Sequence, residues 1–386
     1  MKNEVLLKYL DDYNLEALEN TVEDCFNRLN MQQIFRSKTK VMLKVCLPCS
    51  TSPDRAETTH PAVVQAFVNV LSKRGVECLV ADSPAKFYNE YKMENLYITT
   101  GMLEVANSAN CELNHNFSAV EIQTPNGIKA KSLTLMDAIN DVDYIINIGK
   151  LKVDEQFGLK GVAHNLFGLV QGEIKERMLN RLNALQDFNN YLIDIYQLLQ
   201  NKIVLNVVDA IVALEAGKSQ RMLNCLGISE NPFSLDAAMC DILGIKVQNS
   251  IVKQATERNV INTKQPYKLI AEEIERFVVE DFMVYKFDPS KKLHKSGTKQ
   301  KMYFKQNQQR PEICANKCKG CQICSKICPS NAIMMKFDKQ GELYAHIDYK
   351  KCIFCNKCFT ACPYRVVELV TPSGYKKTES RLEKRD

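Results

Sequence analysis

The sequence predicts an α/β fold with a mostly parallel sheet, followed by a small, cysteine-rich α+β module. Three observations lead there. Between residues 39 and 285, short and nearly continuous apolar runs alternate with segments of helical period. Sixteen cysteines are present, and nine of them fall between Cys314 and Cys362. Between these regions lies residues 286–310, a stretch with eight Lys or Arg and one Asp.

Residues 1–38 are expected to be a helical extension, because Leu15, Leu18, Val22, Cys25, Phe26 and Leu29 recur at three- and four-residue steps. Val41–Cys46 reads as a strand. Pro61 opens a helix in its first turn, with Val63, Val64, Phe67, Val70 and Leu71 on one face and Gly75 as its stop. Val76–Ala81 and Tyr144–Ile148 are further strands. A helix through Tyr191–Leu199 precedes a fourth strand, Ile203–Val208. Buried, β-branched strands separated by helices argue for a sheet covered on both faces. Ligands of such sheets bind beyond the carboxyl ends of the strands, where Asp82, Gly149 and Asp209 stand. In the C-terminal module, Met334–Phe337 and Leu343–Ile347 flank Asp338-Lys339-Gln340-Gly341, a hairpin signal.

Composition excludes several classes. The chain is 45% apolar and 25% charged, with 51 Lys or Arg against 45 Asp or Glu, an ordinary globular balance. No apolar run reaches the roughly 18 residues of a membrane span; the best, Ile203–Leu214, is interrupted by Asn206 and Asp209. The first residues lack the pattern of an export signal, so a cytoplasmic, reducing environment is expected. A net charge of +6 does not call for nucleic acid. The basic stretch 286–310 reads as a solvated linker, and the tail 371–386 as polar and frayed.

Clustered thiols in a reducing compartment point to metal. Cys318-x2-Cys321-x2-Cys324-x3-Cys328-Pro329 is matched by Cys352-x2-Cys355-x2-Cys358-x3-Cys362-Pro363. This spacing suits two [4Fe-4S] clusters with crossed ligation. Three sulfurs of one tight loop reach three irons, and the fourth cysteine points to the other cluster. One cluster then takes Cys318, Cys321, Cys324 and Cys362. The other takes Cys352, Cys355, Cys358 and Cys328. Zinc sites use separated ligand pairs and often histidine, and fit this pattern poorly. Residues 311–370 hold nine Lys or Arg and five Asp or Glu, net +4. Two oxidised clusters, each about −2 with their thiolates, would bring the module near neutral. Lys317, Lys319, Lys326, Lys350, Lys351 and Lys357 would favour the reduced state. Gly320 keeps the first loop slim, where Phe354 stands in the second. Cys314 fits neither quartet.

In the larger region, Lys150, Lys152, Asp154, Lys160 and His164 crowd the segment after the third strand, among Gly158, Gly161 and Gly168. Its position suggests an anion-binding loop. Lys150, Lys152, His164, Asp209 and Asp236 are the candidate catalytic residues. Cys46-Leu-Pro-Cys49 resembles a redox dithiol, but loop-forming Ser50-Thr51-Ser52-Pro53 follows where a helix N-terminus is wanted. Gly217-Lys218-Ser219 fails as a phosphate loop, because Val212 occupies the position of the first glycine.

Residues 311–370 resemble a bacterial-type 2[4Fe-4S] ferredoxin domain. Residues 40–285 resemble the family catalogued as domain of unknown function 362. That resemblance rests on Thr58-Thr59-His60-Pro61, Ala81-Asp82-Ser83-Pro84, Lys150-Leu151-Lys152, Asn165-Leu166-Phe167-Gly168, Val208-Asp209 and Leu235-Asp236-Ala237. The family usually has histidine where this chain has Asp154 and lysine where it has His164, and a glycine-proline-rich stretch near Gly217 is missing. The resemblance implies a fold but no reaction. The expected function is iron–sulfur electron transfer to or through the α/β domain, towards a redox partner protein or a small-molecule substrate. The alternative is an iron–sulfur oxidoreductase with its own substrate site in that domain. Clusters that are merely structural in a nucleic-acid-binding protein are the weakest reading.

Overall fold

The computed structural model describes residues 3–84, 90–108, 111–182, 184–285, 310–328, 332–338, 340–349, 351–352 and 357–370. The linker before Arg310, Pro329, Lys350, Phe354, Cys355 and the tail lie outside them. The chain divides into two compact units, Met1–Lys295 and Ser296–Asp386.

In chain order the larger unit runs β1 (Glu4–Tyr9), α1 (Leu15–Arg28), β2 (Lys40–Lys44), α2 (Pro61–Ser72), β3 (Glu77–Ala81), α3 (Glu90–Thr99), α4 (Met102–Ser108) and β4 (Cys111–Leu113). It continues with a hairpin of β5 (Ala119–Gln123) and β6 (Ser132–Met136), then β7 (Tyr144–Asp154), β8 (Gly158–Lys160), α5 (Val162–Asn165), α6 (Gly172–Arg181) and α7 (Leu185–Leu199). It closes with β9 (Ile203–Leu214), β10 (Gln220–Ser229), α8 (Pro232–Ile242), α9 (Ile251–Glu257) and β11 (Lys268–Leu269). The main sheet has the order β11-β1-β10-β9-β7-β2-β3-β4, with β8 beside β7. β9, β7, β2, β3 and β4 are parallel neighbours, whereas β10 is antiparallel to both β1 and β9. The fold is thus α/β, with a mostly parallel sheet.

Side-chain alternation divides the core between the two faces. Val41 and Leu43 of β2 join Ile146, Ile148, Leu205 and Val207 against α1 and α2. Met42, Ile145 and Val208 face the other way, towards α7 and α8. The helices begin where their caps dictate. Asn14 accepts the Ala17 N–H at 3.0 Å, and Asn231 accepts the Phe233 N–H at 2.9 Å. His60 Nδ1 accepts the Ala62 N–H at 3.2 Å just before Pro61.

Two expectations are overturned. The third and fourth strands do not stop at Ile148 and Val208: β7 runs on to Asp154 and β9 to Leu214, where β8 and β10 pair with them, so Gly149, Lys150, Lys152 and Asp209 lie within strands and not after them. Residues 1–38 are not wholly helical, because Glu4–Tyr9 is a strand of the main sheet, antiparallel to β10 and parallel to β11. The reason is two-sided burial. Leu7 packs into one core and Leu6 into the other, so the short apolar run has no strand alternation to betray it. The helical periodicity from Leu15 is sound and belongs to α1.

The smaller unit pairs β12 (Arg310–Ile313) with β15 (Val367–Val370), and β13 (Ile333–Phe337) with β14 (Leu343–Ile347), both antiparallel. Two short helices, Ile323–Lys326 and Lys357–Ala361, complete it. Its apolar core is small: Ile333, Ala345, Ile347 and Val367 pack with Cys324 and Cys358, bordered by Cys318, Cys328, Cys352 and Cys362.

Candidate functional site

In the smaller unit, the first cysteine run wraps around a turn that needs left-handed backbone at Gly320 (φ +60°) and Gln322 (φ +63°). A Cβ on Gly320 would stand 2.7 Å from the Leu343 carbonyl oxygen, so only glycine lets this loop close against β14. The turn leads into Ile323–Lys326, which carries Cys324 inward. A tight pocket beneath the loop is lined by Cys318, Cys321, Cys324 and, from the second run, Cys362. The remaining lining includes Ile313, Ile323, Ala345 and Val367. Burial first, then the neighbouring Cys318 and Cys321, pushes the Cys324 thiol above its usual value. Crowded thiolates therefore call for metal countercharge, and four cysteines around one apolar-walled cavity fit a cubane. Cys328 turns away from that cavity's lining and its Sγ accepts the Ala332 N–H at 3.3 Å.

In the larger unit, β2 and β3 end beside a second cavity, of about 190 Å3, which the extended β7 flanks. It is lined by Cys46 and Pro48 after β2, Asp82–Pro84 after β3, Lys150 and Lys152 on β7, and His164, Asn165, Phe167 and Gly168 after β8. Lys160, Phe157 and Lys175 complete its wall.

The floor is a polar lattice. Lys44 Nζ, fully buried, lies 3.0 Å from Asp82 Oδ1. Asp82 also accepts the Leu47 N–H at 2.6 Å and the Ser83 N–H at 2.8 Å, so it fixes both strand-end loops. Asn165 accepts from Lys44 Nζ at 3.1 Å and donates to Asn147 Oδ1 at 2.9 Å, and Asn147 donates to Asn206 Oδ1 at 3.0 Å. This ladder of amides ties α5 to β7 and β9. Gly168 closes over the pair: a Cβ there would meet Asp82 Oδ1 at 2.2 Å and Lys44 Nζ at 2.3 Å.

Lys150 Nζ stands 3.0 Å from Asp209 Oδ2, both buried. Tyr13 bridges them, accepting from Lys150 at 2.8 Å and donating to Asp209 at 2.9 Å. Its ring stacks on His60 with centroids 3.6 Å apart, and the His60 backbone N–H donates to Asp209 Oδ2 at 3.0 Å. Burial pulls the His60 imidazole down to about 4, against the pull of Asp209. Burial likewise lowers Lys150, with Asp209 opposing. Lys152 Nζ donates to the Glu57 carbonyl at 2.6 Å and lies 3.5 Å from Cys46 Sγ. Lys160 pairs with Asp154 at 2.9 Å. His164 sits between Phe157 and Phe188, and burial, reinforced by Lys160, holds its pKa well below the usual histidine range.

The cavity thus gathers Lys150, Lys152 and His164 of the expected site, with Asp209 behind Lys150. Asp236 is different. It is fully buried beneath Gly161, where a Cβ would stand 2.0 Å from its Oδ1. It accepts the Val162 and Ala163 N–H groups at 2.8 and 3.1 Å, capping α5. Burial outweighs those bonds and pushes its pKa up to about 7. It shapes the cavity and does not line it. Tyr13, Lys44 and Lys175 are among the residues that escape sequence reasoning. Lys44 is a charge inside an apolar strand, which is itself a signal. Lys175 lies on α6, remote from every motif, and donates to the Ser83 carbonyl.

Residues 41–241 match the family model described as Domain of unknown function (DUF362), and residues 317–366 match that of a 4Fe-4S dicluster domain. Over 231 residues the chain is 26% identical to a thylakoid-associated protein of Synechocystis, covering 58% of this chain and 68% of that one. The C-terminal module is 39% identical over 57 residues to a component of the ion-translocating oxidoreductase complex of Methanosarcina acetivorans. That match spans 15% of this chain and 20% of the component, so the chain covers about a fifth of that relative. The module is also 31% identical over 68 residues to an uncharacterized ferredoxin of Methanocaldococcus jannaschii, spanning 18% of this chain and 87% of that protein. Among solved structures, the lactate racemase apoprotein from Thermoanaerobacterium thermosaccharolyticum aligns with a TM-score of 0.39 at 10% identity, covering 64% of this chain and 58% of that one. No helix among the described residues is long and apolar enough to cross a membrane.

Proposed function

Because the chain belongs to the family described as Domain of unknown function (DUF362) and carries a 4Fe-4S ferredoxin-type domain, we propose that it is an iron–sulfur electron-transfer protein whose two [4Fe-4S] clusters pass electrons to or through its α/β domain. Cys318, Cys321, Cys324 and Cys362 would hold one cluster, and Cys352, Cys355, Cys358 and Cys328 the other. The observation that carries this reading is the cavity on which three cysteines of the first run and the last cysteine of the second converge. Bound clusters supply one-electron storage. The chain's own residues exclude water with Ile313 and Val367, and set the local charge with Lys317, Lys319 and Lys326. The redox partner is a protein or a small molecule, and the setting is cytoplasmic.

The test is metal content. Anaerobically prepared protein should hold about eight irons and about eight acid-labile sulfides per chain, without stoichiometric zinc. Zinc without labile sulfide would end this reading. A second reading, an oxidoreductase with its own substrate site, is favoured by the second cavity, where Lys150, Lys152 and a neutral His164 share one wall system. It requires that Lys150→Met and Lys152→Met reduce turnover while cluster content stays intact.

A further inference from the structure

The charges around the strand-end cavity do not balance locally. Lys44, Lys150 and Lys160 each have a carboxylate at 3.0, 3.0 and 2.9 Å. Among the described residues, Lys152 and Lys175 have none within ion-pair distance. Lys152 contacts a carbonyl and a thiol sulfur, and Lys175 contacts a carbonyl. Both are buried, at 9% and 4% exposure. Burying an ammonium group without a counterion is costly, and both line the same cavity. Apolar surface lies beside these charges: Phe157, Phe167 and Leu179 also line the cavity, with Lys175 Nζ 5.5 Å from the centre of the Phe167 ring and Lys160 Nζ 5.1 Å from that of Phe157. The cavity's volume of about 190 Å3 leaves room for one small organic molecule.

We propose that this cavity binds a small organic dianion with a flat apolar body, its charge held by Lys152 and Lys175 and its body laid against Phe157 and Phe167. The inference rests on the second reading, an α/β domain with its own substrate site, and names the ligand class of that site. A monoanion would leave one of the two ammonium groups uncompensated. A phosphate monoester and a dicarboxylate share the required chemistry.

The protonation of Lys175 provides a readout that a structural role would not move. Burial lowers it to about 8. Asp82, from the end of β3, opposes this, Lys44 on β2 reinforces it and Cys46 opposes it, while His164 after β8 stays neutral. A bound dianion favours the ammonium form, so binding at pH 8 should take up about half a proton. Affinity should fall as pH rises above that point.

Titration calorimetry of the cluster-loaded full chain would use phenyl phosphate and terephthalate as the dianions. Benzoate, phenol and inorganic phosphate would be the controls. At least one of the two dianions should bind saturably at one site, at least tenfold more tightly than benzoate or phenol; the one that does identifies the source. Lys152→Met and Lys175→Met should each weaken binding at least tenfold, while Lys264→Met, at an exposed position, should not. Lys175→Arg should retain binding but lose the proton uptake, since arginine stays charged. Both methionine variants should melt no lower than the parent, because each removes an uncompensated buried charge. Binding of neither dianion, or binding indifferent to both lysines, would overturn the proposal, as would inorganic phosphate matching phenyl phosphate, which would leave no role for the apolar surface. Binding that meets these criteria while turnover persists in Lys150→Met and Lys152→Met would count against the oxidoreductase reading alone.

Discussion

Replacing Gly168 with alanine should destabilise the larger unit by roughly 3–5 kcal/mol, the cost of breaking a buried ion pair. The backbone at Gly168 is not left-handed, so the effect comes from volume alone. The added methyl would sit 2.2 Å from Asp82 Oδ1 and 2.3 Å from Lys44 Nζ, where ordinary contact begins at 3.4 Å. Something must therefore move by more than about 1 Å, well beyond what rotamer relaxation in a packed core absorbs. Asp82 is pinned by the Leu47 and Ser83 N–H groups, and Lys44 by the Val45 carbonyl at 2.5 Å and by Asn165. The 3.0 Å pair has to open. Equilibrium urea unfolding followed by far-ultraviolet circular dichroism would measure the loss. A background carrying Lys44→Ala and Asp82→Ala should recover most of it, since the methyl then enters vacated space. A cost below about 1 kcal/mol in the parent, or an undiminished cost in that background, would refute the reasoning.

The other predictions concern ligation, pH and the Tyr13 bridge. Cys328→Ala should perturb the cluster built on Cys352, Cys355 and Cys358, so its paramagnetic spectra should resemble those of Cys355→Ala more than those of Cys321→Ala. Asp236, with a folded pKa near 7 against about 3.8 unfolded, contributes stability that is fully present below pH 4 and is lost as pH rises to 7. Asp236→Asn should abolish that slope in unfolding free energy measured from pH 4 to 8. Tyr13→Phe should cost about 1–3 kcal/mol, because Lys150 and Asp209 each lose a buried partner; thermal unfolding unchanged from the parent would argue against the bridge. Separately produced 1–310 and 311–386 fragments should each fold, the second with its clusters, yet neither should support turnover alone, and a C-terminal fragment with full activity would make the α/β domain incidental to the reaction.

Much of the fold is legible in the sequence because its physics is local. Four parallel strands announce themselves as apolar runs, and Pro61 and Gly75 bracket a helix that the structure places at Pro61–Ser72. Lys150 and Asp209, expected just beyond their strands, lie instead inside β7 and β9, because these strands run on past the apolar cores that announce them. The first cysteine run is legible for a stronger reason: a short loop has few ways to present three sulfurs, and Cys318, Cys321 and Cys324 do line one pocket. What stays hidden depends on distant neighbours. Glu4–Tyr9 becomes a strand only because β10 and β11 arrive beside it. Lys44 looks like an odd residue in an apolar strand, and its meaning waits on Asp82 and on the missing side chain of Gly168. Asp236 reads as a site residue because a buried carboxylate that caps a helix and one that does chemistry share the same sequence signature.

The placement of β1 has a consequence for how the chain is made. Its partners, Gln220–Ser229 and Lys268–Leu269, are translated more than 210 residues later. At roughly 5–20 residues per second, the strand waits about 10–50 s with both hydrogen-bonding edges unsatisfied. α1 can already fold beside it, but the sheet cannot close until β11 emerges. The cysteine runs follow later still, from Cys318 onward. Assembly is therefore ordered by synthesis: the sheet is sealed by its own first strand before the iron-binding loops leave the ribosome.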